Sequence, residues 1–509
     1  MCTYRIAHFK TASADKDAGA AFLKYKDFKP YVDYFNSMED ENIAQAIPNA
    51  RASQWMEENI PLFECSQKNF EEMYYYRWWT LRKHIKETPV GYGMTEFLVN
   101  RSYADKYNLI ACAIGHHIYE SRWLRNPEYL NQIIHTWYRG NEGGPMAKMT
   151  KFSSWNADAV LGRYMVDGNK EFLLDMVKDL EAEYARWEKT NRLPNGLYWQ
   201  GDVQDGMEES ISGGRRKQYA RPTINSYMYG NAKALSLIGI MTGDEGMAMK
   251  YGLKADSIKT LVQDKLWNTD HHFFETMRGD AFAEVREAIG YIPWYFNLPD
   301  ASSKYTVAWK EVMDEKGFSA PYGLTTAERR HPEFRTHGVG KCEWDGAIWP
   351  FASAQTLTAM ANFMNNYPQT VLTDSVYFHH MERYVESQHH RGRPYIGEYL
   401  DEVTGYWLKG DQERSRYYNH STFNDLMITG LIGLRPRMDN TVEVNPLIPE
   451  GKWDYFCLDN VLYHGRNLTI LWDKDGSRYQ RGKGLHIYVD GKEVGHSDTL
   501  TRVLCENVL

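Results

Sequence analysis

The sequence predicts a mainly α-helical protein in which paired helices close into a ring, followed by a small C-terminal antiparallel β-sandwich. Segments with apolar residues at helical spacing follow one another between Asn69 and Ile432. Strand patterns are almost absent before residue 435 and are frequent after it. Because no repeat of fixed period is recognisable, we expect a closed ring of helix hairpins and not an open solenoid.

Composition indicates a globular protein, and its charge balance fits a neutral substrate better than an anionic one. The 509 residues are 43% hydrophobic, which allows a large core and roughly two to four domains. The 59 basic and 67 acidic residues give a net charge of −8, so there is no basic field for nucleic acid or an anionic membrane. Aromatic residues make up 14% of the chain, which suits a surface that binds carbohydrate.

We expect no metal, no cofactor and no membrane attachment. The six cysteines are scattered without a CxxC pair, and His116-His117 and His389-His390 lack a third ligand at suitable spacing. No apolar run reaches the roughly 18 residues of a membrane span, and the N-terminus lacks the apolar core of a signal peptide. The chain is therefore expected to be soluble, with its localisation open because a leader could have been removed.

Three regions are expected along the chain. Residues 1–66 form a peripheral N-terminal segment with mixed charge, several prolines and only short amphipathic pieces. Residues 67–434 form the helical domain, and residues 435–509 form the β-sandwich. Apolar periodicity predicts about eleven helices, at 69–86, 105–123, 127–139, 153–166, 170–188, 223–241, 244–267, 301–315, 348–365, 370–388 and 421–432.

Alternating residues predict the strands of the C-terminal region. Residues 441–445 alternate, and Leu468 and Ile470 share one face with Trp472. Asp490-Gly491 is a strong signal for a hairpin turn. This region has no loop that combines acidic and aromatic residues, so we expect it to be a structural support without chemistry.

One loop, residues 196–214, combines carboxylates, aromatic side chains and glycines. Aromatic rings can stack on the apolar face of a sugar, and a carboxyl among them can have its pKa raised until it donates a proton near neutrality. A solvated acidic turn would explain this loop equally well. The candidate residues are Tyr198, Trp199, Asp202, Asp205, Glu208 and Glu209.

A second loop, residues 392–407, repeats this combination with Glu398, Tyr399 and Trp407. Glycoside hydrolysis generally needs one carboxylic acid to protonate the leaving oxygen and one carboxylate to activate water or attack carbon. The two loops together therefore predict a glycosidase.

The order of these motifs across residues 88–432 resembles the inverting glycosidases of the trehalase, glycoside hydrolase family 63 and mannosylglycerate hydrolase-like group. The resemblance implies an (α/α)6 barrel for residues 67–434. It implies that Glu208, in Asp205-Gly206-Met207-Glu208-Glu209-Ser210, is the general acid, and that Glu398, in Gly397-Glu398-Tyr399, is the base. The group has Asp at the acid position, so Asp205 remains an alternative to Glu208.

Other segments that resemble this group supply candidate sugar contacts. Residues 343–350 (EWDGAIWP) imply stacking by Trp344 or Trp349 and hydrogen bonds from sugar hydroxyls to Asp345. A place in the core would explain the tryptophans without any sugar. The remaining predicted contacts are Asn225 in residues 222–226, Tyr92 and Glu96 in the glycine-rich loop 90–96, and Trp199.

The predicted reaction is single-displacement hydrolysis, in which the two carboxyls lie about 6.5 to 9.5 Å apart to leave room for water. Three alternatives remain. A glycoside phosphorylase would depend on added phosphate, and a sugar epimerase or lyase would keep its activity in Glu398→Gln. A non-catalytic carbohydrate-binding protein would bind sugar without turnover. The sugar, the linkage and the oligomeric state are not predicted.

Overall fold

The computed structural model describes residues 22–509, so the start of the predicted N-terminal segment, with Cys2, lies outside the described residues. The described part is mainly helical with an antiparallel sheet in the C-terminal region, as the sequence predicts. Its α-helices are α1 Lys29–Ser37, α2 Asn49–Asn59, α3 Lys68–Lys83, α4 Ile114–Ser121, α5 Pro127–Arg139, α6 Asn156–Asp167, α7 Lys170–Asn191, α8 Pro222–Thr242, α9 Glu245–Lys265, α10 Ile292–Tyr295, α11 Ser303–Thr306, α12 Pro350–Asn366, α13 Asp374–Ser387 and α14 Asn424–Leu426.

The strands are short except in the C-terminal sheet. They are β1 Leu62–Cys65, β2 Ile85–Thr88, β3 Gly91–Met94, β4 Trp199–Gln200, β5 Tyr219–Ala220, β6 Trp267–Asn268, β7 Phe273–Phe274, β8 Met277–Arg278, β9 Ala281–Phe282, β10 Ser319–Ala320, β11 Gly323–Leu324, β12 His389–His390, β13 Arg393–Pro394, β14 Val442–Val444, β15 Tyr455–Tyr463, β16 Arg466–Asp473, β17 Gly484–Val489, β18 Lys492–Ser497 and β19 Val503–Cys505.

The long helices α3, α5 to α9, α12 and α13 agree with the predicted segments. The prediction of a single helix at 105–123 is wrong. Tyr107 and Asn108 have φ angles of 63° and 66°, which an α-helix of L-residues does not accept. The side chain of Asn108 donates to the carbonyl of Phe97 over 2.8 Å and holds this break in place. Only Ile114–Ser121, the second half of the segment, forms an α-helix.

Two other predicted helices are shorter than the apolar pattern indicates. The segment at 301–315 is reduced to α11 and a 3₁₀ turn, Val307–Val312. The segment at 421–432 contains only α14, which continues as a π-turn over Met427–Leu431. Apolar spacing alone does not distinguish these tighter and wider turns from an α-helix.

The C-terminal sheet has the antiparallel order β1-β15-β16-β17-β18, and β14 pairs separately with β19. The predicted hairpin turn is confirmed: Val489 pairs with Lys492, and Asp490 and Gly491 have φ angles of 48° and 77°. The sequence analysis did not predict β1, which extends this sheet by pairing along its whole length with β15.

Helices α4, α8 and α12 pack against Trp155, a buried residue that precedes α6. Its ring lies 5.0 Å from that of His116 on α4, 4.8 Å from that of Tyr227 on α8 and 6.3 Å from that of Phe351 on α12. Gly115 on α4 is required here, because a Cβ would lie 2.1 Å from the Trp155 ring. This packing joins α4, α8 and α12 around the start of α6.

None of the helices between residues 22 and 509 combines the length and the apolar character needed to cross a membrane.

Candidate active site

A pocket of about 340 Å³ brings together three carboxyl groups from distant parts of the chain, those of Glu96, Glu208 and Glu398. The two stretches predicted to carry the acid and the base therefore meet at one cavity. The other residues that line it are Phe97, Tyr103, Ile110, Cys112, Lys151, Phe152, Val203, Gly206, Cys342, Trp349, Arg414 and Tyr418.

Glu208 reaches the pocket on a tightly folded loop. A 3₁₀ turn, Val203–Asp205, ends at Gly206, whose φ of 72° reverses the chain. The amide of Met207 then donates to the carbonyl of Asp202 over 2.9 Å. These bonds fix the backbone on the N-terminal side of Glu208.

Asp205 does not line the pocket. Its carboxylate instead holds this loop against neighbouring segments. The guanidinium Nε of Arg221 donates to Asp205 Oδ2 over 2.6 Å, and the hydroxyl of Thr223 donates to the same oxygen. Ser153 Oγ donates to Oδ1 over 2.7 Å. Both oxygens of this buried carboxylate are therefore engaged by protein donors at the starts of α6 and α8.

Two of the three pocket carboxyls hold their proton to unusually high pH. Burial, and then the charge of Glu398, raises the pKa of Glu208 from 4.5 to about 7. Burial also raises the pKa of Glu96 to about 7, against the opposing effect of hydrogen bonds from Tyr418 and Cys112. Near neutrality, each of these groups can therefore exist as acid or as carboxylate.

Glu398 differs from the other two pocket carboxyls in its neighbours, because two cations lie beside it. Lys409 Nζ is 3.3 Å and Arg414 Nη2 is 3.4 Å from Glu398 Oε2. These contacts are ion pairs without well-directed hydrogen bonds, and Oε2 is buried without a hydrogen-bond partner in the described structure. Glu398 therefore lines the pocket with two cations at ion-pair distance from this buried oxygen.

A stack of three rings lies next to Glu398. The ring centroids of Trp344 and Trp349 are 4.4 Å apart, and those of Trp349 and Tyr399 are 4.6 Å apart, both nearly parallel. A β-bridge between Ile348 and Leu400 aligns the two segments. Of the three rings, only that of Trp349 lines the pocket.

The other predicted sugar contacts lie away from the pocket lining. The Asn225 amide bonds the backbone of Tyr198 and Arg221. Asp345 accepts from the amides of His337 and Gly338 over 2.6 and 2.9 Å, and its Oδ1 has no hydrogen-bond partner in the described structure.

Trp199 and Tyr92 also lie outside the pocket lining. Trp199 forms β4, which pairs with β5. The ring of Tyr92 packs against that of Tyr129 at 5.1 Å.

The sequence pattern does not single out several residues that line the pocket, or Lys409, which contacts Glu398. Arg414 and Lys409 lie in a polar stretch that resembles a solvated surface loop. Tyr418 lies just before the predicted helix at 421–432, in a connecting segment of the kind that often carries functional residues, and this position was an available signal. No such signal marks Cys112 or Lys151.

Among residues 22–509, no cluster of three or more His, Cys, Asp or Glu side chains has a geometry that could hold a metal ion.

Comparison with known families gives two matches. Residues 106–421, more than half of the chain, match the family model described as mannosylglycerate hydrolase MGH1-like glycoside hydrolase domain. Residues 434–496 match the C-terminal domain of glycosyl hydrolase family 65.

Solved structures include one similar chain and several distant ones. A chain named "Sialidase" is 82% identical with a TM-score of 0.96; the match covers 98% of this chain but 46% of that one, so this chain spans about half its length. The GH63 mannosylglycerate hydrolase from Thermus thermophilus, in complex with glucose, is 12% identical with a TM-score of 0.54, and the match covers 70% of this chain and 99% of that one. The GH78 family rhamnosidase of Bacillus sp. GL1 is 10% identical with a TM-score of 0.54, and the match covers 81% of this chain and 40% of that one. These two share the fold.

Proposed function

This chain belongs to the family of mannosylglycerate hydrolase MGH1-like glycoside hydrolase domains, and we propose that it hydrolyses a glycosidic bond with inversion at the anomeric carbon. The observation that carries this proposal is the presence of Glu208 and Glu398 in one pocket with different electrostatic surroundings. Two carboxyls with separated tasks are what glycoside hydrolysis requires.

Glu208 acts as the general acid. Its raised pKa of about 7 keeps a large fraction of the carboxyl protonated near neutrality, so it can donate to the glycosidic oxygen as the bond breaks. Asp205 is an anchor in this scheme, because both of its oxygens already accept bonds from Ser153, Thr223 and Arg221.

Glu398 acts as the general base. Lys409 and Arg414 lie at ion-pair distance from Glu398, and its carboxylate lines the pocket, where it can accept a proton from a water molecule that attacks the opposite face of the sugar. After the reaction, Glu208 is a carboxylate and Glu398 carries the proton from water. Exchange with solvent restores the starting state.

Trp349 and Glu96 are the proposed sugar contacts. Trp349, which is stacked on both Trp344 and Tyr399, offers the edge of its indole ring to the pocket, and Glu96 offers a carboxyl group for hydroxyl groups of the substrate. The other predicted contacts, Trp199, Asn225, Asp345 and Tyr92, hold the surrounding segments.

The domain organisation is part of the same proposal. Residues 67–434 form an (α/α)6 barrel, an arrangement supported by the fold shared with the GH63 enzyme. Residues 435–509 form a supporting β-sandwich, to which β1 contributes a strand.

We propose a neutral glycoside as the substrate. Among the pocket-lining residues, Arg414 is paired with Glu398, which leaves Lys151 as the one lining cation without an ion-pair partner among residues 22–509. Three carboxyl groups and one such cation favour hydroxyl groups over the carboxylate of a sialic acid. The name of the 82%-identical chain describes a protein about twice as long, so a sialoside belongs in the test as a competing substrate.

The experiment is a screen of neutral glycosides and a sialoside with wild type, Glu208→Gln and Glu398→Gln. Glu209→Gln is the matched control, because Glu209 neighbours Glu208 but pairs with Arg215 over 2.7 Å and does not line the pocket. We expect turnover of a neutral glycoside, loss of about 10²-fold or more in both pocket variants, and near wild-type activity in the control. Turnover that requires phosphate, or full activity in Glu398→Gln, would refute the proposal.

A further inference from the structure

A second cavity, of about 350 Å³, lies at the other end of the helical domain. Arg221 and Trp349, which contact the catalytic region, immediately precede α8 and α12. Lys233 and Asn362 line the second cavity more than three turns further along the same helices, a distance of roughly 18 to 20 Å. The two cavities share no lining residue in the described part of the chain.

This cavity contains two cations that no carboxylate neutralises at ion-pair distance within residues 22–509, Lys233 and Arg435. Lys233 Nζ makes only a long bond, 3.4 Å, to the carbonyl of Phe296. Arg435 donates to the carbonyl of Thr429 over 3.2 Å and to Asn362 Oδ1 over 2.6 Å, which are both neutral acceptors. Burial lowers the pKa of both cations, as expected where desolvation is not offset by a paired anion.

The other two cations of the cavity are already paired. Arg122 contacts Asp425 over 2.8 Å, and Arg437 contacts Glu443 over 2.9 Å. Apart from these pairs, the charged groups that line the cavity are Lys233, Arg435 and a single carboxyl group, that of Asp158.

Asp158 sets the net charge of the cavity. It accepts a bond from the hydroxyl of Tyr119 over 2.6 Å, and burial raises its pKa to about 6 against the opposing charges of Lys233 and Arg122. Below about pH 6 the carboxyl is neutral, and the cavity then carries two uncompensated positive charges. Above that pH it carries one.

We propose that this cavity is a second ligand site, which binds a small hydroxylated oxyanion, a phosphate ester or a hydroxycarboxylate, through Lys233 and Arg435. Asn297, Thr358 and Asn366 line the same cavity and offer amide and hydroxyl groups to the remainder of such a ligand. The site does not depend on the catalytic assignment, because it shares no residue with the catalytic pocket.

The test is calorimetric titration of the whole chain with inorganic phosphate and, separately, with gluconate, at constant ionic strength. We expect saturable binding of at least one probe, and the probe that binds more tightly identifies the class of oxyanion. Lys233→Met and Arg435→Gln should each weaken binding at least about tenfold. The affinity of wild type for gluconate, whose charge does not change over this range, should fall as the pH is raised from about 5.5 to about 7.5, because Asp158 ionises.

Asp158→Asn provides an independent test through a gain of binding. It removes the one lining carboxyl group that is outside an ion pair in the described part of the chain, so the affinity at about pH 7.5 should rise roughly tenfold, and the affinity for gluconate should lose its pH dependence. Unchanged or weaker binding in Asp158→Asn would overturn the proposal, as would the absence of saturable binding of both probes to wild type. This variant decides the question even where Lys233→Met does not fold.

Discussion

The replacement Glu208→Gln should make the protein more stable at alkaline pH while it removes activity. Folding raises the pKa of Glu208 from 4.5 to about 7, chiefly through burial and then through the charge of Glu398. The folded state therefore binds this proton more tightly than the unfolded chain does. The resulting stability is present below pH 4.5 and is lost as the pH rises through about 7.

The size of this effect follows from the two pKa values. At about 1.4 kcal/mol for each pH unit, the difference between 4.5 and about 7 corresponds to about 3 kcal/mol at most. Glutamine keeps the shape of the side chain and carries no charge, so the variant avoids this loss. We expect equal stability near pH 4.5 and a higher melting temperature for Glu208→Gln near pH 8.

The assay is thermal unfolding of wild type, Glu208→Gln and the control Glu209→Gln at about pH 5, 6.5 and 8. The gap between wild type and Glu208→Gln should widen with pH, and the control should follow wild type. A gap that is independent of pH, or a wild type that is the more stable protein at pH 8, would show that Glu208 is not a desolvated acid. The kcat/KM of wild type should also fall above about pH 7, where Glu208 loses the proton that it donates.

Three further predictions concern the surroundings of the two proposed catalytic carboxyls. Asp205→Ala should destabilise the fold by about 3 to 5 kcal/mol because it leaves Arg221 buried and unpaired, whereas loss of turnover in a fully stable protein would identify Asp205 as the acid. Lys409→Met removes one of the two cations beside Glu398; it should lower kcat roughly tenfold with little change in KM, and an effect on KM alone would place Lys409 in substrate binding instead. Trp349→Ala should raise KM roughly tenfold by removing an indole edge that lines the pocket, and an unchanged KM for all substrates would exclude contact between the sugar and this ring.

The sequence allowed the general architecture to be predicted because periodic apolar residues report directly on helices and alternating ones on strands. It also indicated the family, and the family match confirms that resemblance. The meeting of Glu208 with Glu398 was predictable only from the order of the motifs, since no local pattern relates two residues so far apart.

What the sequence did not predict depends on contacts between distant segments. Strand β1 has only four residues, and its place in the C-terminal sheet follows from pairing with β15 almost 400 residues later. In the sequence, Lys409 and Arg414 look like surface residues. Only the structure shows that both contact Glu398. Similarly, the aromatic and acidic character of Trp199 and Asp205 was visible in the sequence, but their positions beside or beneath the pocket were not.

The most direct test of the two-carboxylate mechanism is the anomeric configuration of the first product, followed by ¹H NMR immediately after enzyme is added to a glycoside that wild type turns over. With Glu208 as acid and Glu398 as base, the newly released sugar should first appear as the anomer opposite to that of the substrate, and mutarotation should follow later. Initial release of the same anomer would mean that a covalent intermediate forms, and it would contradict the assignment of Glu398 as a base that activates water.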